Sequence, residues 1–160
     1  MSVTRTIQPA PVRRRVNVAV PQSRAFETFT AGIGRWWPSK SHHIGAVEPE
    51  TIVIEPRAGG RWYERAADGA ECEVGKVLVW DPPGRLVLGW QLTPEWKYDP
   101  DFLTEVEIQF IAEGASATRV ELEHRQLERY GERAEMVRQM IDAPNGWPTI
   151  LNMYANFAVQ

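Results

Sequence analysis

The sequence predicts an α+β fold in which a curved antiparallel sheet of about seven strands wraps around a long C-terminal helix. Segments of alternating apolar and polar residues, joined by short turns, fill the middle of the chain. Helical patterns lie mostly before and after these segments. The last helix, within Gly146 to Val159, has an apolar stripe with large aromatic side chains, which needs a broad apolar surface to cover it.

Size and composition indicate one globular domain. The chain has 160 residues, of which 43% are hydrophobic and 24% charged. Its net charge of −3 argues against nucleic acid as the main partner. A single cysteine, Cys72, excludes an internal disulfide bond and is expected to be a small packed residue. With no secretory signal and no apolar run of membrane-spanning length, we expect a cytoplasmic protein that does not contact a membrane.

The beginning of the chain is expected to be a flexible tail over residues 1–10, followed by a single domain over residues 11–160. Alternation of apolar residues predicts a first strand over Val16 to Val20, which Pro21 ends. Three arginines, residues 13–15, are placed at the start of this strand and are interpreted as solvated charge.

Two short helical segments are expected next. Phe26 and Phe29 share one face of the first segment, which Gly32 and Gly34 interrupt. A second short turn then ends at Pro38, because proline cannot continue a helix.

Six further strands follow, and two helices end the chain. Asp68-Gly69 favours a tight hairpin turn, and Asp81 to Gly84 favours another. In the last two strands apolar residues alternate with charged ones, so one face of the sheet is predicted to be apolar and the other charged. The strands are predicted at residues 51–55, 61–66, 71–80, 85–92, 102–112 and 117–126, and the helices at about 132–142 and from 147 onward.

Several short motifs together resemble the START-like, helix-grip (SRPBCC) superfamily, and within it bacterial proteins similar to the C-terminal domain of the heat-shock-protein-90 ATPase activator. The resemblance extends over about residues 12 to 159 and is specific as a set, although each motif is weak by itself. Its motifs are Val20-Pro21, Ala25-Phe26, Trp36-Trp37-Pro38, residues 56–64, Gly75-Lys76-Val77, Trp80-Asp81-Pro82-Pro83, Leu86-Val87-Leu88, Trp90, Thr118-Arg119-Val120, His124 and Gly146-Trp147.

The resemblance implies a container for small apolar molecules, and three hypotheses follow from it. The first is non-catalytic binding of an apolar or aromatic molecule between the sheet and the C-terminal helix, with no cofactor. The second is a cyclase-, aromatase- or hydrolase-like enzyme that uses an acid or base in the cavity. The third is an interaction module acting on a chaperone, which the absence of the co-chaperone's separate N-terminal domain argues against. A homodimer is left open.

Ten residues are predicted to form the ligand site, most of them because large aromatic and apolar side chains at these positions can line a cavity. His124 shares the apolar face with its strand neighbours, as either a hydrogen-bonded core residue or a polar anchor, and the core interpretation is favoured. Glu64 shares the orientation of Trp62, as an inward acid or as a strand-end residue that reaches solvent, and the solvent-reaching interpretation is favoured. The predicted set is Trp37, Trp62, Glu64, Trp80, Trp90, Phe110, His124, Trp147, Leu151 and Tyr154, with Trp96 and Tyr98 as further aromatic candidates.

No catalytic residue and no metal ligand is assigned. His42 and His43 are adjacent, so their side chains point apart, and no Cys/His spacing accompanies them. The loop that contains them is instead predicted to lie at the mouth of the cavity.

Overall fold

The computed structural model describes residues 9–159, which form one antiparallel sheet with helices on one side of it. The strands within these residues are β1 Val12–Val18, β2 Thr51–Ile54, β3 Arg61–Arg65, β4 Glu71–Asp81, β5 Arg85–Trp90, β6 Thr104–Ala112 and β7 Thr118–Arg125. The helices are α1 Gln22–Thr30, α2 Ile33–Trp36, α3 Ala134–Asp142 and α4 Trp147–Ala158, with a 3₁₀ segment at Leu127–Arg133 before α3.

The strand order is β1-β7-β6-β5-β4-β3-β2, and every neighbouring pair is antiparallel. The pairing register shifts at Trp62/Tyr63 and again between Val77 and Val79. Such bulges bend a strand and increase its twist, so they help the sheet to curl. At Gly75 the neighbouring strand comes so close that a Cβ atom would lie 1.7 Å from the carbonyl oxygen of Gly89, so a side chain cannot fit there.

Helix α4 carries the predicted stripe into the core. Its buried residues recur at helical spacing, whereas Asn152 and Asn156 are exposed on the opposite face. Phe157, which helical spacing also assigns to the stripe, is only half-buried. The Tyr154 hydroxyl donates a hydrogen bond of 2.8 Å to the Ala25 carbonyl and so fixes α4 to α1. The buried members are Trp147, Ile150, Leu151, Tyr154 and Ala158.

The outer face of β6 and β7 is charged, as predicted. Arg125 pairs with Glu105 at 2.9 Å and with Glu107 at 3.0 Å, and Arg85 of β5 pairs with the same Glu107. The inner face of the same strands carries buried residues such as Val106 and Leu122. The sheet therefore has one apolar face, which meets the helices.

The prediction for the first strand was wrong in its position. β1 begins at Val12 rather than Val16, and the arginines at 13–15 lie inside it. Val12 is buried opposite His124, while Arg13 pairs with Glu123 of β7 and Arg14 with Asp142 of α3. Carboxylates on neighbouring elements thus form ion pairs with two of the arginines that the sequence pattern had placed at the start of the strand. Residues 1–8 of the predicted tail lie outside the described residues.

Three other boundaries lie two residues from their predicted positions. β6 begins at Thr104 rather than at residue 102. β5 ends at Trp90, and Leu92 forms only an isolated bridge to Tyr98. The helix expected from about residue 132 begins at Ala134, because Gly131 has a φ of 61° and separates it from the 3₁₀ segment.

Candidate functional site

A cavity of about 560 Å³ lies between the sheet, the loop after α2, and the helices α3 and α4. Strands β2, β3 and β4 contribute Ile52, Glu64 and Val74 to its wall. The segment from the end of β5 contributes Trp90, Leu92 and Trp96. The opposite wall comes from one side of α3, from the linker residues 143–146 and from the first turn of α4.

Four of the seven tryptophans line this cavity: Trp37, Trp90, Trp96 and Trp147. The Trp90 ring centre lies 5.6 Å from that of Trp147 and 6.1 Å from that of Trp96. Trp37 lies 6.4 Å from Trp147. Neighbouring ring planes in these three pairs meet at 58° to 82°, so the rings form corners rather than a flat stack. Trp62 packs behind Trp37 and Trp90, at 6.0 Å and 5.8 Å.

His124 holds one of these rings from behind. It is 0% exposed, and its Nδ1 accepts a hydrogen bond of 3.1 Å from the Trp147 indole N–H. The ring proton therefore lies on Nε2, which donates to the Thr104 hydroxyl oxygen at 2.8 Å. Burial lowers the pKa of His124 to about 3, because the charged form would lose its hydration. His124 is thus a neutral, hydrogen-bonded core residue that positions Trp147.

Glu64 connects the sheet to the loop above the cavity. The side chain is in the lining, and the residue is only 4% exposed, so the favoured interpretation as a strand-end residue that reaches solvent was wrong. Its two carboxylate oxygens accept backbone N–H bonds from Ile44, at 2.8 Å, and Gly45, at 3.1 Å. Among the described residues no lysine or arginine pairs with it. The Glu64 carboxylate therefore orders the loop without a cationic partner among the described residues.

The loop is also tied across the cavity by His42. Nε2 of His42 donates 2.6 Å to the Asn145 carbonyl in the α3–α4 linker. Nδ1 can then accept from the Ser41 hydroxyl at 2.7 Å. The Trp37 indole N–H donates to the His42 carbonyl at 2.9 Å, which fixes the tryptophan to the same loop. Both histidines of the loop line the cavity, in agreement with the predicted position of the loop.

The exposed part of the cavity lining combines two methionines with polar side chains. Met136 and Met140, one turn apart on α3, line the cavity although each is 39% exposed. Gln139 lies between them in sequence and also lines it. The lining contains no lysine or arginine and one acidic side chain, Glu64.

The structure brings four of the ten predicted site residues together in the lining: Trp37, Glu64, Trp90 and Trp147. The others lie outside it. Trp80 and Phe110 pack against Phe26 of α1, each with ring centres 5.1 Å apart. Trp62 and His124 stand behind the lining tryptophans, and Leu151 and Tyr154 are buried further along α4. Of the two further aromatics, Trp96 is in the lining and Tyr98 is not. The part these residues play in binding stays a prediction.

Sequence reasoning missed the contribution of α3. The sequence contains a signal for this contribution in Met136 and Met140, two large apolar residues one turn apart. They lie beside the buried set Ala134, Val137 and Ile141 but do not belong to it. Glu64 and His124 do not form an acid/base pair, because each bonds to other partners and only Glu64 reaches the cavity.

Within residues 9–159, no three His, Cys, Asp or Glu side chains are grouped in a way that could hold a metal ion. In the same part of the chain, no helix combines the length and apolar character needed to cross a membrane.

A seven-stranded curled sheet, a long C-terminal helix and short helices after the first strand define the helix-grip, START-like class of proteins. A family model described as activator of Hsp90 ATPase homolog 1-like protein matches residues 19–156, and the chain belongs to this family. The predicted superfamily is therefore confirmed. No curated protein matches the chain.

Two similar solved structures cover nearly the whole chain. One is described as an anthrahydroquino-gamma-pyrone synthase, Txn09; it is 38% identical, with a TM-score of 0.64, and the match covers 92% of this chain and 96% of Txn09. The other is CalC of Micromonospora echinospora, described as a self-sacrificing resistance protein; it is 34% identical, with a TM-score of 0.68 and coverage of 93% and 94%.

An Hsp90 activator of Plasmodium falciparum, PFC0360w, is 17% identical, with a TM-score of 0.51 and coverage of 73% of each chain. At that identity the likeness shows the shared fold alone.

Proposed function

We propose that the protein binds a small, largely apolar aromatic molecule in the cavity without a covalent step. The observation that carries this proposal is the cavity of about 560 Å³ with four tryptophans in its lining. Sites for drug-sized ligands are mostly apolar clefts of roughly 300–1,000 Å³ with a few polar groups that fix orientation. An aromatic ligand packed against such rings gains roughly 0.5–1.5 kcal/mol per ring pair beyond the burial of its area.

The hydrogen bonds around the cavity support binding because they fix its walls before a ligand arrives. Trp147 is held by His124, Trp37 by the His42 carbonyl, and the loop by Glu64. Preformed walls reduce the ordering cost that a ligand would otherwise have to offset. The descriptions of Txn09 and CalC as a synthase and a resistance protein are compatible with a small-molecule partner. No observation on residues 9–159 favours a chaperone-associated role over binding.

The open side of the cavity provides a direct test. We expect the double variant Met136→Ala/Met140→Ala to bind 9-(hydroxymethyl)anthracene, a neutral three-ring probe, roughly tenfold more weakly, since each methionine–aromatic contact contributes about 0.3–1.5 kcal/mol. Quenching of tryptophan fluorescence reports binding, because four tryptophans line the site. Both methionines are 39% exposed, so the free energy of unfolding should change little.

Met153→Ala is the matched control. Met153 is 43% exposed on α4 and does not line the cavity, so this variant should bind like the wild type. Native mass spectrometry of the purified protein complements the titration, since an adduct lost on denaturation would give the mass of a bound molecule. The proposal fails if the probe does not bind, or if the control variant weakens binding as much as the double variant does.

A second candidate function is catalysis on the bound molecule, which one arrangement in the lining favours. The Ser41 hydroxyl lies 2.7 Å from His42 Nδ1, and His42 Nε2 is oriented by the Asn145 carbonyl. A nucleophile next to a base that a third group orients is the geometry that activates a hydroxyl. Similarity to a described synthase is a further reason to consider it.

This candidate can be tested with a p-nitrophenyl ester of an aromatic acid. Release of p-nitrophenolate above background that disappears in both Ser41→Ala and His42→Gln would establish catalysis. Equal rates in the wild type and in Ser41→Ala would exclude Ser41 as the nucleophile, with no effect on the binding proposal.

A further inference from the structure

We infer that the cavity selects an aromatic ligand that carries a positively charged amine, with the charge held between Glu64 and the tryptophan corners. This inference rests on the proposed binding function and specifies the ligand class. It predicts a preference for a cation over a neutral molecule of the same shape, and over an anion.

The environment of the Glu64 carboxylate favours a cationic ligand. Glu64 is 4% exposed, lines the cavity, and receives only two backbone N–H bonds, from Ile44 and Gly45. Each carboxylate oxygen can accept more than one hydrogen bond, so acceptor capacity is left over. Buried charges are normally paired, because removing a charge from water is costly. A cationic ligand in the cavity would supply the partner that no lysine or arginine among the described residues supplies.

The aromatic lining also favours a cationic ligand. A cation positioned over the face of a tryptophan ring, within about 6 Å of its centre, is attracted by the electrons of the ring, and recognition of quaternary ammonium groups uses several such rings at once. The ring plane of Trp90 makes an angle of 82° with that of Trp96 and of 58° with that of Trp147. A corner between rings presents more than one of them to a compact cation, whereas a parallel stack forms a slot for a flat group.

The charges in the lining disfavour an anionic ligand. Its one acidic side chain is Glu64, and it contains neither lysine nor arginine. An anionic ligand would therefore find no cation in the lining and would face one carboxylate in a low-dielectric environment. Fatty acids and other carboxylates are disfavoured for this reason. A neutral aromatic ligand would fit but would leave Glu64 without a counter-charge.

The experiment compares probes that share one ring system and carry a cationic, a neutral or an anionic group; the cationic and neutral probes also share one shape. These are (naphthalen-2-ylmethyl)trimethylammonium, its neutral carbon analogue 2-neopentylnaphthalene, and 2-naphthylacetate as the anion. Isothermal titration of the wild-type protein should give about tenfold or more tighter binding of the cation than of the neutral analogue, and the weakest binding for the anion.

Glu64→Gln tests the residue, since glutamine retains an acceptor for one loop N–H and removes the charge. The cation should lose about tenfold in affinity, while the neutral analogue should bind nearly unchanged. Glu123→Gln is the matched control, because it removes one negative charge on β7 outside the cavity. It should leave all three affinities as they are.

The outcomes separate this inference from the function on which it rests. Equal affinity for the cation and the neutral analogue, or an unchanged cation affinity in Glu64→Gln, overturns the selection for charge and leaves the binding proposal intact. If none of the three probes binds, and 9-(hydroxymethyl)anthracene also fails to bind, both proposals fall. If Glu64→Gln does not fold, the ranking of the three probes on the wild-type protein decides alone.

Discussion

The buried histidine should make the stability of the protein depend on pH in a range where few other groups titrate. The pKa of His124 falls from about 6.5 in an unfolded chain to about 3 in the folded protein, because burial disfavours the charged ring. Below pH 6.5 the unfolded state therefore binds a proton that the folded state does not bind. The free energy of unfolding is unaffected by His124 above that pH and declines as the pH falls toward 3.

The expected slope follows from linkage. Each pH unit well below 6.5 should lower the free energy of unfolding by about 1.4 kcal/mol, so the loss between pH 7 and pH 5 should be about 2 kcal/mol. Carboxylates with lowered pKa, such as Glu107 beside Arg85 and Arg125, add to the loss only when their unfolded forms take up protons, near pH 4.5 and below. The interval from pH 7 to pH 5 therefore reports mainly on histidine.

Urea denaturation at pH 7.0, 6.0 and 5.0 on the wild type and on His124→Gln measures this slope. The glutamine amide can accept from Trp147 and donate to Thr104, and it does not titrate, so the variant should lose part of the pH dependence equal to the His124 contribution. His124→Gln is expected to be less stable than the wild type at pH 7, so the loss on acidification is measured for each protein from its own value at pH 7. Parallel pH profiles for the two proteins would refute the assignment of His124 as a neutral buried group.

Two further predictions concern the core and the outer face. Trp147→Ala should lower the free energy of unfolding by about 3–5 kcal/mol. Trp147→Phe keeps a ring but leaves His124 Nδ1 without its donor, so it should lower the free energy of unfolding by about 1–3 kcal/mol. Chemical denaturation midpoints measure both, and a change below about 0.5 kcal/mol in Trp147→Ala would contradict the core position of Trp147. Arg125→Gln breaks two ion pairs whose side chains are 12–28% exposed, and it should lower the free energy of unfolding by about 1 kcal/mol or less. The difference should shrink in 1 M NaCl; an effect independent of salt would contradict an electrostatic cause.

The fold could be predicted from the sequence because its signals are local and repeated. Alternation in β6 and β7 separated the apolar face from the charged one, and the stripe of α4 identified the helix that the sheet encloses. The position of β1 could not be predicted in the same way. Arg14 reads as solvent-exposed in isolation, and its place in a strand comes from backbone pairing opposite Leu122 of β7, with Asp142 of α3 binding its side chain.

The site was predicted in part, for a related reason. Burial of an aromatic residue is visible in a pattern, but the same pattern holds for residues that fill the core and for residues that line a cavity. Trp62 and Trp90 are neighbours at 5.8 Å, yet only Trp90 lines the cavity. What separates them is the path of the loop and the placement of α3, which depend on long-range contacts such as His42 to Asn145, 103 residues apart.

The strand order also bears on the order in which the strands can pair during folding. Among the strands of residues 9–159, β1 comes first along the chain, and its single partner in the sheet is β7, the last of them; Val18 pairs with Thr118 and Val12 with His124. During synthesis β1 stays unpaired, with Val12 and Val18 uncovered, until about residue 125 has left the ribosome. The strands from β2 to β7 can pair in the order in which they are made. Closing so long a loop is slow, so we expect the pairing of β1 with β7 to be a late step of folding.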